Sequence, residues 1–254
     1  METTRNYFFT DMGVMLGRSM RHVTRSADTI ITVTIMPIAL MLVFVYVLGG
    51  AIKTGPDNYV NYLLPGILII AIANSIGYVS FRLFNDVQRG IFERFHSMPI
   101  ARSAAIWGHI MTSLVSNLIS LAVIVIVALI MGFRSPAGIL SWLAIVGILI
   151  LFALALAWVA AIAGLSAKSV DGATVIAYPI HFLPLISSAF VPTETMPGPV
   201  RAFAENQPVT SIVETIRALL SNQPVGHDIW IALVWCLGIM VVAYFFAMRV
   251  YKRV

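Results

Sequence analysis

Six long stretches without a charged side chain constrain this sequence more than any other feature. Charged residues make up only 11% of the 254 residues, whereas a soluble domain carries about 25%. A soluble fold would therefore lack the polar shell needed to cover so much apolar sequence, and the chain is predicted to be an integral membrane protein. The charge-free stretches are 29–52, 58–81, 103–133, 135–167, 172–193 and 229–248.

Each stretch is long enough to cross a bilayer as a helix. A hydrocarbon core of about 30 Å requires about 20 residues at 1.5 Å per residue, and a helix satisfies its own backbone groups in lipid. Spanning strands would instead show alternating polarity over about 10 residues, which none of the stretches shows. The prediction is an all-α membrane protein with six transmembrane helices, near 30–49, 61–81, 105–132, 139–165, 173–191 and 229–248.

The basic residues predict the orientation of these spans. Twelve of the 16 Lys and Arg residues lie in the N-terminal tail, in 82–104, in 166–172 and at the C-terminus. Because positive residues favour the cytoplasmic side, both termini and 82–104 are expected in the cytoplasm, with the protein in the cell membrane. This asymmetry explains the net charge of +5 without nucleic-acid binding.

The chain divides into residues 1–29, a cytoplasmic amphipathic segment, and 30–250, the transmembrane domain. Within 7–25, Phe8, Met12 and Leu16 belong to an apolar arc opposite Arg18 and Arg21. Such a pattern predicts an interfacial helix that lies along the headgroups, although a simple basic tail is the alternative.

The cytoplasmic segment 82–104 is longer than a connection between two spans requires. Arg82, Asp86, Arg89 and Glu93 recur at helical spacing with alternating sign, and Pro99 is expected to stop the helix. Exposed aromatic residues accompany this stripe, so we expect a docking surface for a partner protein; the alternative is a solvated connector.

The segment 192–228 is expected on the outer side. Its pattern predicts two short helices joined at 206–208, and the apolar faces of these helices should rest in or on the outer leaflet.

Polar residues inside the spans are few, and no Asp, Glu, Lys or Arg lies in the body of any span. Ion-coupled carriers usually require intramembrane acidic groups or broken helices, so a self-powered carrier is disfavoured. Asn74, Ser75, Tyr78 and His181 are candidates for a substrate path, but their alternative role is hydrogen bonding between helices. Pro179 and Pro184 beside His181 predict a kink in the fifth span.

A search for catalytic patterns is negative. The sequence contains no phosphate-binding loop, no His-Glu-x-x-His and no Gly-x-Ser-x-Gly motif. Ser187 and His181 lack a carboxylate to orient the His. We expect no catalytic and no metal-ligating residues.

Two stretches carry a resemblance to a known family. Residues 89–100 look like a coupling-helix region, and residues 188–197 continued by 206–210 are similar to a signature before outer helices. With the six spans, these stretches resemble the membrane subunit of type-2 ABC exporters, specifically the daunorubicin/doxorubicin-resistance permease group.

The resemblance implies a transport subunit that is not itself an enzyme. A separate ATP-binding cassette ATPase would bind ATP and Mg, while this chain would bind no cofactor. A second permease copy, identical or related, would complete the path within the lipid, and the cargo would be drug-like or lipid-like. A self-contained channel or ion-coupled secondary carrier is the alternative.

The resemblance also assigns residues to sites. The ATPase-docking residues of the coupling helix would be Arg89, Phe92, Glu93, Arg94, His96 and Met98. The outer re-entrant signature would comprise Pro192, Glu194, Met196, Pro197, Gln207 and Pro208.

Overall fold

The structure, a computed structural model, describes residues 27–49, 59–91 and 104–251. The interfacial helix predicted at 7–25 lies outside these ranges. So do five of the predicted docking residues, namely Phe92, Glu93, Arg94, His96 and Met98.

Every regular element of the described ranges is helical, which confirms the all-α prediction. A π-helical turn at Val43–Leu48 directly follows the first α-helix. Two 3₁₀ turns lie at Pro184–Ile186 and Thr193–Thr195. The α-helices are α1 (Ala27–Leu42), α2 (Tyr59–Gln88), α3 (Ala104–Ile130), α4 (Ile139–Ser166), α5 (Val170–Thr174), α6 (Ala177–Phe182), α7 (Gly198–Asn206), α8 (Pro208–Leu220) and α9 (Asp228–Tyr251).

Four of these helices are long and apolar enough to cross a membrane, namely α2, α3, α4 and α9. They correspond to the second, third, fourth and sixth predicted spans. The apolar helical segments at the first and fifth predicted spans are shorter, at Thr34–Val47 and Val170–Ile186.

The fifth predicted span is broken rather than merely kinked. Instead of one helix over 173–191, the chain forms α5, α6 and a 3₁₀ turn, and Ser187 is fully extended. Pro179 and Pro184 explain the interruption, because each lacks an N–H and its ring clashes with the carbonyl four residues earlier. The last helical turn ends at Ile186, so the carbonyls of Ile186 and the residues after it have no helical partners.

Helix α2 is the central element of the bundle. It packs against α1, α3, α4, α5, α6 and α8. In its most apolar stretch of 18 residues 83% is buried, compared with 22% for the corresponding stretch of α9. Its packing is closest at Gly66, which faces Ala189, and at Ser80, which faces Gly164 of α4.

Helix α2 continues beyond the predicted second span. The span was predicted near 61–81, with a helical charged stripe after it, and α2 extends to Gln88. Arg82 and Asp86 therefore lie in this helix, and Arg89 follows in a turn in which Gly90 has a φ of 64°. This left-handed conformation suits glycine and lies just after the end of α2, whereas Pro99 lies outside the described residues.

The helical pair predicted at 192–228 is confirmed. Helices α7 and α8 meet at Gln207, which lies between Asn206 and Pro208. The pair does not only lie along a surface, because α8 packs against α2, α4 and α9. Its apolar side chains Ile212, Val213 and Ile216 are fully buried.

Candidate functional site

The free carbonyls of the broken segment 183–190 receive donors from α8 and from the residue before it. Gln207 is buried, and its Nε2 donates to the carbonyl oxygens of Leu183, at 3.0 Å, and Ile186. Gln207 was assigned to the re-entrant signature, and the structure gives it a physical task, which is to bond backbone carbonyls at the end of the interrupted helix.

Arg217 of α8 supplies the second donor. Its Nη2 lies 2.9 Å from the carbonyl oxygen of Ser188 and 3.2 Å from that of Tyr62. Its Nη1 is paired with Glu214 at 2.6 Å, and its guanidinium carbon stands 3.8 Å from the centre of the Tyr62 ring, within the range of a cation–π interaction. We call Tyr62, Ser188, Gln207, Glu214 and Arg217 the Arg217 cluster.

Two tyrosines of α2 reach the same segment from the opposite side. The Tyr62 hydroxyl donates to the Ser188 carbonyl at 3.0 Å, and the Tyr59 hydroxyl donates to that of Phe190 at 3.4 Å. One carbonyl, that of Ser188, therefore receives donors from both α2 and α8. Segment 183–190 is fixed between these two helices.

Sequence reasoning missed Arg217, Glu214 and Tyr62. The only local signal is the pairing of Glu214 and Arg217 at i, i+3 in α8, which is common on helix surfaces. That the pair faces a broken segment 29 residues earlier cannot be read from spacing.

Of the remaining signature residues, none of which belongs to the Arg217 cluster, Pro208 is the first residue of α8 and the other four lie before that helix. Pro192 precedes the 3₁₀ turn that contains the exposed Glu194, and Pro197 immediately precedes α7. Met196, between them, is half-buried. They shape the path of the chain into the helical pair.

Helix α7 carries an exposed ion pair of its own. Arg201 and Glu205 lie one helical turn apart, and 2.7 Å separates Arg201 Nε from Glu205 Oε1. The hydrogen bond and the charge of Glu205 raise the pKa of Arg201. Both side chains are exposed and bond each other within α7, not the broken segment. The pair therefore provides a comparison for Arg217.

The candidate substrate-path residues of α2 separate onto two faces. Ser75 accepts a hydrogen bond from Asn117 of α3 at 3.1 Å and donates to the carbonyl of Ile72. Ser75 is buried, and its contacts are those of a residue that joins two helices.

Asn74 and Tyr78, one helical turn apart, lie on a more open face. Tyr78 is 36% exposed, and Asn74 is half-buried with an Nδ2 that has no hydrogen-bond partner within the described chain. Phe81 continues this exposed face toward the end of the helix. Of the predicted path residues on α2, these two lie on its more exposed face, although the Asn74 Nδ2 itself is buried.

His181 of α6 is engaged locally. Its Nδ1 lies 2.5 Å from the Ala177 carbonyl of the same helix, while Ser187 donates to the Pro184 carbonyl. His181 and Ser187 therefore form no nucleophile–base pair, in agreement with the absence of a catalytic motif. The imidazole is half-buried.

An apolar cavity of about 210 Å³ lies where the broken segment meets the bundle. Leu183, Pro184, Pro208 and Val209 contribute to its wall, and its lining contains no polar accessible surface. Such a space can accept hydrocarbon but offers nothing to an ion. The other residues that line it are Ala73, Phe152, Leu156, Val159, Ile180 and Ile239.

A pair formed by Asp86 and His109 joins α2 to α3 near the C-terminal end of α2. Asp86 Oδ2 and His109 Nε2 are 2.9 Å apart, and both side chains are mostly buried. Arg89, the one predicted docking residue within the described ranges, is exposed just beyond this pair. The pair thus closes the base of the segment between α2 and α3; His109 was not singled out from the sequence.

Comparison with known proteins places the chain in a family. Residues 10–221 match the ABC-2 type transporter family. The chain is 28% identical over 242 residues to the daunorubicin resistance ABC transporter permease protein DrrB1 of Streptomyces coeruleorubidus, which covers 94% of this chain and 84% of that protein. It is 26% identical over 223 residues to the probable doxorubicin resistance ABC transporter permease protein DrrC of Mycobacterium tuberculosis, which covers 86% and 79%.

A chain whose described residues form only helices, four of them of membrane length, and which matches this family over residues 10–221 is a membrane-embedded transport subunit. The chain belongs to the ABC-2 type transporter family, and its relatives confirm the predicted group of drug-resistance permeases.

Proposed function

We propose that this chain is the permease subunit of an ATP-driven exporter that moves a hydrophobic or amphipathic molecule, drug-like or lipid-like, out of the cytoplasm or inner leaflet. A separate ATP-binding cassette ATPase binds ATP and Mg and supplies the energy. The chain crosses the cell membrane six times with both termini in the cytoplasm, so that α7 and α8 belong to the outer side. A second permease copy, identical or related, completes the path.

The observation that carries this proposal is the family match over residues 10–221. The sequence supports it independently, because the chain has no phosphate-binding loop and no acidic group inside a span. The apolar cavity at the broken segment also favours hydrocarbon-rich cargo over ions.

The ATPase docks on the segment that begins at Arg89 and includes Phe92, Glu93, Arg94, His96 and Met98. Two features support this position. Arg89 is exposed at the end of α2, and the Asp86–His109 pair braces the two helices that flank the segment. A displacement of the docked segment would therefore reach α2, the most buried helix, without being absorbed at its base.

The cargo contacts Asn74 and Tyr78, with His181 on the neighbouring α6. Asn74 has an unused donor, and Tyr78 is exposed. Ser75, which we included in the path, contributes by holding α3 in place through Asn117.

The deciding experiment reconstitutes the chain with its ATPase in inside-out vesicles and follows uptake of daunorubicin by fluorescence quenching. We expect uptake that requires ATP, the ATPase and this chain together. Uptake by the chain alone, without ATP or the ATPase, would instead establish the alternative of a self-contained channel or ion-coupled carrier.

The docking surface is tested by Glu93→Lys, with Glu205→Lys on exposed α7 as the matched charge reversal. We expect Glu93→Lys to abolish daunorubicin-stimulated ATP hydrolysis while the chain still inserts into the membrane, and Glu205→Lys to retain it. Full stimulation in Glu93→Lys would contradict the docking assignment.

The cargo contacts are tested by Asn74→Leu and Tyr78→Phe. We expect each substitution to change the KM for daunorubicin uptake several-fold, with a much smaller change in the rate of ATP hydrolysis measured without cargo. Ser75→Ala, which alters the helix contact, should instead lower the stability of the purified chain and leave the KM unchanged.

A further inference from the structure

Unpartnered polar atoms are concentrated at one contact of the molecule. Five buried side-chain nitrogen or oxygen atoms lack a hydrogen-bond partner among the described residues. Three of them, Ser188 Oγ, Gln207 Oε1 and Arg217 Nε, belong to the Arg217 cluster. Because native structures leave few such atoms unpaired and each one is costly, this contact is held in an arrangement that is not fully satisfied.

One side chain links all three parts of this contact. Among the described residues, Arg217 reaches both the Tyr62 carbonyl of α2 and the Ser188 carbonyl of the broken segment. Gln207 bonds the segment from the α8 side only, and the Tyr59 and Tyr62 hydroxyls bond it from α2 only. Loss of the Arg217 bonds would therefore remove the polar link that joins α8, α2 and segment 183–190 at one point.

The surroundings allow the segment to move once it is released. Leu183 and Pro184 line the apolar cavity of about 210 Å³, so free space lies beside the segment. Glu214, the ionic partner of Arg217, has a side chain that is 37% exposed. Water can therefore compensate the guanidinium and the carbonyls when their mutual bonds break.

We infer that Arg217 is a positioning residue of the exit for cargo. In the arrangement seen here it holds segment 183–190 against α2 and keeps the exit closed, and cargo leaves when its bonds to the Tyr62 and Ser188 carbonyls break. This inference rests on the proposed export function, which places α8 on the outer side.

The test measures access to the segment from outside. The reporter is Ser188→Cys in a chain in which Cys236, its only cysteine, is changed by Cys236→Ala. The chain is assembled with its ATPase in right-side-out vesicles, and labelling by a membrane-impermeant maleimide is timed without ATP. Because Ser188 is buried, labelling is expected to be slow.

Adding Arg217→Met should accelerate labelling about tenfold or more, since charge-assisted hydrogen bonds are the strong ones. Arg217→Lys keeps the charge but lacks the planar fork, so its rate should be intermediate. Arg201→Met, on exposed α7, is the matched control and should label at the parent rate. Equal rates for Arg217→Met and the parent would overturn the inference.

A purely structural role makes a different prediction. In that case Arg217→Met would lower the melting temperature. Arg217→Lys, although it keeps the charge, would then not label more slowly than Arg217→Met. If Arg217→Met does not insert, Tyr62→Phe, which removes only the hydroxyl bond to Ser188, should accelerate labelling about threefold because a neutral bond is weaker. No acceleration in that variant would also count against the inference.

Transport by the same vesicle preparations separates this inference from the proposed function. Daunorubicin transport that fails in the parent chain overturns the proposed function, whereas the ATP-free labelling rates still decide whether Arg217 holds the segment. Transport that succeeds in the parent with equal labelling in all variants overturns the inference alone.

Discussion

The two halves of α2 are packed in different ways. In the half that ends at Gln88, α2 meets the continuous helix α4, and a Cβ added at Gly164 would lie 2.6 Å from the carbonyl oxygen of Ser80. In the half that begins at Tyr59, α2 meets the broken segment 183–190, and a Cβ added at Gly66 would lie 2.6 Å from the Cβ of Ala189. Both contacts require a glycine, but only the second is surrounded by polar side chains.

The state of the backbone explains this difference. In α4 the carbonyls are paired within the helix, so shape alone decides its contact with α2, and a single side-chain bond crosses it, from Ser80 to the Ala160 carbonyl. In segment 183–190 the last helical turn ends at Ile186, so the carbonyls from there onward have no helical partners, which is costly in lipid. Gln207 and Arg217 are found there because a broken helix needs donors from outside.

The largest effect is expected from Gly164→Val. Two regular helices cannot separate locally, so the added side chain meets a backbone carbonyl and overpacks the contact. We expect the free energy of unfolding to fall by about 3 kcal/mol, measured by denaturation of the purified chain in detergent. Gly147→Val, in the same helix with open space at its Cβ, should change it by less than about 1 kcal/mol.

Gln207→Leu tests the requirement for donors in the other half. It leaves the carbonyls of Leu183 and Ile186 buried without their shared donor, so we expect a loss of about 2 kcal/mol. The neighbouring amide Asn206 is exposed, and Asn206→Leu should change stability by no more than about 0.5 kcal/mol. Equal effects of the two substitutions would mean that the broken segment needs no donor.

Gly66→Ala sharpens the contrast between regular and broken backbone. The added methyl group meets the Cβ, the carbonyl oxygen and the Cα of Ala189, so the backbone of Ala189 must shift, and an irregular segment can shift more readily than a helix. A loss of about 1 kcal/mol is expected, smaller than for Gly164→Val in the same denaturation assay. A loss as large as that of Gly164→Val would show that segment 183–190 is as rigid as α4.

Ser80→Ala should have the smallest effect. The Ala160 carbonyl that Ser80 bonds belongs to a continuous helix, so removal of the hydroxyl leaves no orphaned acceptor. Hydrogen bonds between membrane helices contribute about 0.6 kcal/mol on average, and the same measurement should return a loss of that size. A loss comparable to that of Gln207→Leu would contradict the division between the two halves.

The sequence predicted well those features that depend on one segment at a time. Long charge-free stretches predicted α2, α3, α4 and α9, and the proline at 208 predicted the division of α7 from α8. The charged stripe at Arg82, Asp86 and Arg89 predicted a helix beyond the second span, and α2 continues to Gln88. The interruption of the fifth segment was anticipated only as a kink.

The candidate site was predicted less completely. Gln207 was singled out, whereas Arg217 and Tyr62, which bind the same segment, were not. Asn74 and Ser75 are adjacent in sequence and looked equivalent, yet Ser75 bonds Asn117 of α3, whereas the Asn74 Nδ2 has no partner among the described residues. Such differences depend on which neighbour each helix face meets.

By itself, the sequence determined that this protein lies in a membrane and resembles the permeases of ABC exporters, because charge is excluded from lipid whatever the fold. The tertiary structure decided which polar groups pair, since the carbonyls of Ile186 and Ser188, at and beyond the end of the interrupted helix, are bonded by side chains brought to them from elsewhere. In this arrangement Arg217 lies between α2 and α8 and links both helices to the broken segment.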